Sequence, residues 1–180
     1  MDTMQYTHLY RSPLGTITLA ADSEGLTGLW FEGQKYFAAT LDARHEETML
    51  PIFEQTRRWL DNYFGGNDPG PTPPLHLQGS PFRLAVWEIL RQIPFGKTIT
   101  YGEIAREIAR RQGSKTVPAQ AVGGAVGHNP VSIIVPCHRV VGSNGSLTGY
   151  AGGIERKVRL LALEKADMTR LFAPQKGTAL

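Results

Sequence analysis

The 180-residue chain has a single cysteine, Cys137. No intramolecular disulfide can form, and a cysteine-rich zinc site is excluded. A lone thiol survives best in a reducing compartment, so a cytoplasmic protein is expected. Long apolar runs are also missing. Ile133-Ile134-Val135 falls far short of the ~20 residues that cross a bilayer, so no membrane partner is expected. The opening residues, MDTMQYTHLYRSPLG, hold no basic stretch followed by an apolar one, and no export signal is expected. There is no internal repeat and no GxxxxGK[ST] phosphate loop. Charged residues make up only 19% of the chain, too few for disorder, and a hydrophobic share of 41% supports a core.

What is present is unevenly distributed. Residues 1–79 hold five Lys/Arg against ten Asp/Glu, a net of −5, whereas residues 80–180 hold fourteen against six, a net of +8. A basic half beside an acidic half fits a polyanion partner for one and not the other. A solvated basic surface with no partner is the alternative.

Local patterns give an α+β chain. Residues 16–21 and 26–31 alternate as strands around the turn Asp22-Ser23-Glu24-Gly25. Pro51 to Phe64 has helical spacing and stops at Gly65-Gly66. Residues 65–79 contain four prolines and four glycines and read as a linker. Ser80-Pro81 offers a helix N-cap and a proline at the first helical position. Thr100 to Glu103 is a capping box that opens a helix ended by Gly113-Ser114. A shorter helix is expected over about 118–127, and the two resemble a helix-turn-helix. The second of them is built almost wholly of small residues, Ala119, Gln120, Ala121, Gly123 and Gly124 among them. Glycine costs about 1 kcal/mol in a helix interior, so close approach of another backbone, protein or nucleic acid, is the expected reason. A helix from Ile154 to about Ala166 follows, and residues 167–180 read as a frayed tail.

The chemistry centres on Val131 to Val141. Both halves read as buried strand, and Pro136 is out of place in a ladder, so a bend is expected there. Such a bend lets Cys137 and His138 share one site. A free thiol has a pKa of about 8.5 and needs a base; a histidine, itself oriented by a carboxylate, supplies one. Six carboxylates lie in the basic half, Glu88, Glu103, Glu107, Glu155, Glu164 and Asp167, and spacing does not choose among them. A lone cysteine is also commonly an inert core thiol. Past Val141 comes an Asn144-Gly145 turn suited to a hairpin.

Pro136-Cys137-His138-Arg139-Val140 resembles the active-site motif of the O6-alkylguanine-DNA alkyltransferases, the methylated-DNA–protein-cysteine methyltransferases. Ser80-Pro81-Phe82, Val86-Trp87, Thr100-Tyr101-Gly102, Ala121-Val122-Gly123-Gly124, Asn129-Pro130 and Gly149 to Gly153 fall in the same order, so the likeness covers about residues 80–165. It implies a ribonuclease-H-like N-terminal domain, a small antiparallel sheet with a helix, over 1–66. A linker over 67–79, a mostly helical DNA-binding and alkyl-acceptor domain over 80–166 and a tail over 167–180 complete the expected division. Cys137 is then the alkyl acceptor, His138 the base acting through a water and Glu164 its carboxylate. Asn129 pins the turn, and Tyr101 protonates the leaving guanine. Gln120, Ala119, Ala121, Gly123, Gly124, Thr100 and Arg139 face DNA. Tyr150, Ala151, Gly152, Val140 and Lys157 form the base pocket. No metal and no cofactor is implied.

The partner is double-stranded DNA carrying O6-alkylguanine, with O4-methylthymine as a second candidate substrate, and the protein is expected to act as a monomer and be consumed. One position departs from the family pattern: Gln120 stands where members usually carry an arginine. A Cys-His hydrolase and a non-catalytic protein that binds alkylated DNA are the competing readings.

Overall fold

The structure, a computed structural model, describes residues 4–174. It is α+β and divides into two compact units. One comprises residues up to 78 together with 130–134, and the other comprises 79–129 and the chain from 135 onward. No helix among the described residues is long and apolar enough to cross a membrane.

In the first unit, β1 (Gln5–Ser12), β2 (Gly15–Ala21) and β3 (Leu26–Phe31) form an antiparallel meander. A short strand, β4 (His45–Glu47), adds to β1 in parallel, giving the order β3-β2-β1-β4. The expected all-antiparallel sheet is therefore mixed. The three residues of β4 are exposed and polar, so no alternation marks them as a strand. Helix α1 spans Pro51–Phe64, as its periodicity indicated, and buries Phe53, Thr56, Leu60 and Tyr63. Apolar side chains buried this fully contribute about 1.5–3 kcal/mol each.

Residues 130–134 cluster with the first unit, although the sequence placed them inside a continuous 80–166 domain. Leu29 N donates to Pro130 O at 2.9 Å and Ser132 N to Leu29 O at 3.1 Å, a single bridge onto β3. The strand expected from Val131 does not continue. Ile133 has φ of 70°, and Ile134 N turns back to Ser132 O at 2.8 Å. A β-branched residue in the left-handed region is strained by about 1–3 kcal/mol. Burial, not ladder pairing, explains this apolar run.

In the second unit, α2 (Pro81–Arg91) starts where Ser80 accepts a hydrogen bond from Arg83 N. A two-residue strand, β5 (Ile99–Thr100), leads into α3 (Tyr101–Gln112). Both halves of the Thr100–Glu103 capping box are made, and Gly113 ends the helix in the left-handed conformation. Helix α4 (Ala119–Gly127) packs against α2 and α3. Trp87 Nε1 donates to Ala125 O at 2.8 Å and fixes α4 on α2. The pair β5 and β6 (Val140–Val141) is parallel, so Asn144-Gly145 closes a tight turn, Gly142 N to Ser146 O at 2.8 Å, and not a β-hairpin.

Helix α5 covers Ile154–Leu163, shorter than expected because Lys165 turns left-handed at φ of 56°. The segment expected as a frayed tail is ordered as far as 174. Leu147 N donates to Phe172 O at 2.9 Å and Phe172 N to Gly145 O at 3.0 Å. Met168 and Leu171 pack on the buried cluster Val141, Leu147 and Leu161. The rest of the expected tail, 175–180, lies outside the described residues.

Candidate active site

Tight turns deliver Cys137. Asn129 Nδ2 donates to Val135 O at 2.7 Å, and Cys137 N donates to the same carbonyl at 2.8 Å. The residue between them, Pro136, has φ −82° and ψ 65°, an inverse γ-turn. This is the bend that a proline within an apolar run announced. Cys137–Arg139 then form one 3-10 turn, whose three residues per turn send successive side chains in different directions.

Cys137 is 4% exposed, and burial pushes its thiol pKa up. A hydrogen bond from the Asn129 side chain and the charge of Lys157 oppose that rise. The resting sulfur is therefore a thiol, and a base must act for it to become a nucleophile. His138 is fully buried. Its Nε2 lies 2.5 Å from Glu164 Oε2. Burial holds its pKa below the usual imidazole value, against the raising effect of Glu164, so the ring rests neutral. Burial would raise the pKa of Glu164, but the hydrogen bonds and charges of His138 and Arg139 outweigh it and keep the carboxylate ionised.

The other Glu164 oxygen, Oε1, accepts from Arg139 Nε at 2.8 Å and from Gly96 N at 2.9 Å. Arg139 was expected on the DNA surface, and the structure corrects this. Its side chain is buried, Nη1 donates to Ile93 O at 2.7 Å, and the guanidinium lies over the Phe95 ring. A buried carboxylate beside a neutral imidazole needs a cation, and Arg139 is that cation. Gly96 and the Ile93 carbonyl were not identified from sequence as partners in this network. Both act through backbone atoms, which carry no side-chain signal.

Tyr101 donates its hydroxyl to Thr148 O at 3.2 Å. Burial, then the nearby Cys137, raises its pKa, so it remains a proton donor at neutral pH. Lys157 is fully buried, with Nζ donating to Val140 O at 2.5 Å and Thr148 O at 3.0 Å. Burial lowers its pKa to about 8, opposed by Cys137. Val140 and Tyr150 are buried, and Ala151 is partly so. A Cβ on Gly152 would come within 2.8 Å of the Tyr150 ring, so glycine there is a packing requirement. All of these residues belong to the second unit.

On α4, Ala119, Gln120 and Ala121 are exposed, Gly124 is half-buried and Gly123 is buried. A Cβ on Gly124 would meet nothing within 4 Å. Thr100 uses its side chain to cap α3.

A buried cysteine beside a Glu-oriented histidine, in the unit that carries a helix-turn-helix, defines a nucleophilic-cysteine protein built on a DNA-binding scaffold. Residues 81–166 match the family model described as 6-O-methylguanine DNA methyltransferase, DNA binding domain, and residues 5–75 match that of its ribonuclease-like domain. The chain is 42% identical over 166 residues to a Haemophilus influenzae methylated-DNA–protein-cysteine methyltransferase, covering 92% of this chain and 88% of the relative. A Methanosarcina acetivorans protein of the same name is also 42% identical, over 88% of this chain and 97% of its own. The crystal structure of Mycobacterium tuberculosis OGT in complex with DNA is similar with a TM-score of 0.75 and 41% identity, over 90% of this chain and 92% of that one. The chain belongs to the 6-O-methylguanine DNA methyltransferase family.

Proposed function

We propose that this protein repairs alkylated DNA by moving an alkyl group from guanine O6 to Cys137 Sγ, once per molecule. The observation that carries the reading is the buried 2.5 Å contact between His138 and Glu164 directly beside the lone thiol. Guanine O6 lies on the pairing edge, out of reach inside the stack, so the nucleotide must rotate out at a cost of a few kcal/mol. Helix α4 is suited to the DNA side of that event. Its exposed face is thin, and nothing in the protein's own packing requires Gly124 to lack a side chain.

With Nε2 engaged by Glu164, His138 takes the thiol proton on Nδ1 through a water, and Glu164 stabilises the imidazolium. The thiolate attacks the alkyl carbon in line; the S–C bond forms as the C–O6 bond breaks. Tyr101 gives its hydroxyl proton to the departing guanine, whose developing charge would otherwise oppose the step. The proton taken up by His138 balances the one Tyr101 gives. Arg139 holds Glu164 ionised, and Lys157 braces Val140 and Thr148 around the pocket formed with Tyr150, Ala151 and Gly152. The thioether resists hydrolysis, so the thiol is not regenerated. The protein acts as a monomer in the cytoplasm, where a single thiol stays reduced.

Mass spectrometry after incubation with DNA containing O6-methylguanine tests this. The peptide holding Cys137 gains one methyl group, and Cys137→Ala gains none. Active protein with an unmodified Cys137 peptide sinks the reading.

A further inference from the structure

The first unit carries its own cluster of ligating side chains. Asp22 and Glu24 sit in the turn between β2 and β3. His76 comes from the segment tied to β3 by Leu26 N to Pro74 O at 2.9 Å and His76 N to Leu26 O at 2.8 Å. Asp22 is held rigidly, with Oδ1 accepting from Glu24 N at 2.9 Å and Gly25 N at 3.2 Å. Its Oδ2 lies 2.5 Å from His76 Nδ1, and Glu24 Oε2 lies 2.8 Å from His76 Nε2. A neutral imidazole has one N–H and one lone pair, so it donates to only one of two carboxylates. Either a second proton or a metal ion must reconcile the other. One ligand atom from each residue lies within 4.8 Å of the others.

An independent observation points the same way. Thr27 Oγ1 is buried without a hydrogen-bond partner, in a residue only 8% exposed. Thr27 lines a small polar cavity together with His76, Gln5, Thr40 and Gln78. A larger cavity of about 580 Å³ opens over the same His76 beside Asp22 and Glu24.

We infer that Asp22, Glu24 and His76 bind a divalent first-row transition-metal ion, zinc in the first instance. One imidazole and two carboxylates form the mixed N/O donor set that suits Zn²⁺, whereas Mg²⁺ and Ca²⁺ favour all-oxygen shells. The two carboxylates neutralise the dication. Water completes the shell, and the Thr27 hydroxyl bonds to it. The ion ties together two segments 54 positions apart in sequence and so stabilises the first unit.

The test uses full-length protein stripped with a chelator. Calorimetric titration with Zn²⁺ gives one ion per chain, and bound Zn²⁺ raises Tm by several degrees. Co²⁺ gives visible absorption bands without the intense charge-transfer of a thiolate ligand. His76→Gln and Asp22→Asn each weaken binding at least about tenfold. Glu24→Gln, at a side chain 67% exposed and safe for folding, also weakens it. Cys137→Ser binds unchanged. Absence of a saturable ion overturns the inference, as does affinity that survives both His76→Gln and Glu24→Gln. NMR showing a doubly protonated His76 indifferent to Zn²⁺ assigns the cluster to an imidazolium clamp instead.

Discussion

Arg139 Nε lies 2.8 Å from Glu164 Oε1, inside the protein and on the same carboxylate that meets His138. Two residues adjacent in the chain thus converge on one distant side chain. Because Arg139 supplies the positive charge, His138 is left neutral, the form a base requires. Replacing Arg139 with methionine keeps the bulk but strands an ionised Glu164, at a cost of about 3–5 kcal/mol in urea denaturation. Arg139 also lowers the His138 pKa, so its loss raises it. The acid limb of the alkyl-transfer rate, followed in single turnovers, then moves to higher pH. An unmoved limb would show that Arg139 contributes packing alone.

Stability should fall with acid. Glu164 is held below the ordinary carboxylate range when folded, so its contribution is complete above that range and is lost as pH falls through it. His138 is held below its usual value by burial, and protonation therefore favours the unfolded chain once pH drops below about 6.5. Both effects have the same sign. Unfolding free energies measured from neutral pH downward should decline steadily, and Glu164→Gln should flatten the part below pH ~4.5.

Asn129→Ala removes the donor to Val135 O and the hydrogen bond that lowers the Cys137 pKa. The thiol is expected to titrate higher, so iodoacetamide alkylation slows at neutral pH and its pH midpoint shifts upward. The orphaned buried carbonyl costs about 1–3 kcal/mol. Equal alkylation profiles for the two proteins would remove Asn129 from the site.

The fold was legible where local chemistry is strong. Ser80-Pro81, the Thr100–Glu103 box and the Pro51 start mark helix ends because caps act within three residues. The sequence was misleading where tertiary forces win. Val131 to Val135 is β-branched and apolar, which reads as strand, yet Ile133 is forced left-handed and the run is buried without a ladder. Arg139 reads as surface charge because no local pattern reports that Glu164 sits beside it. Glu164 was one of six carboxylates, and only the family resemblance singled it out, since a partner 26 positions away leaves no periodic trace.

Gln120 is exposed on α4, so exchanging it should leave folding within ~0.5 kcal/mol. Gln120→Arg adds a charge and a planar fork toward the DNA. Duplex affinity in binding titrations is expected to rise several-fold at low salt, with a steeper salt dependence and faster transfer. No change in either would remove Gln120 from the flipped-base gap.

Truncation after Ala166 removes the two backbone bonds that Phe172 makes to Gly145 and Leu147, and uncovers Val141, Leu147 and Leu161. A loss of about 2 kcal/mol or more is expected. Because Thr148 follows this turn directly, single-turnover transfer should slow as well. A truncated protein with full stability would contradict the packing described for 167–174.

The five residues 130–134, held on β3 by Leu29, end two positions before the nucleophile's proline. The backbone that aims Cys137 is thus clamped upstream by a sheet whose own chemistry lies elsewhere. Cutting the polypeptide at the proline-rich stretch would not yield a self-sufficient C-terminal fragment, since Val131 and Ser132 would lose their dock. Ile133 would then be free to relax out of its strained backbone geometry. The acidic half acts as a jig for the reactive turn, which gives a polypeptide segment without catalytic groups a direct hold on reactivity.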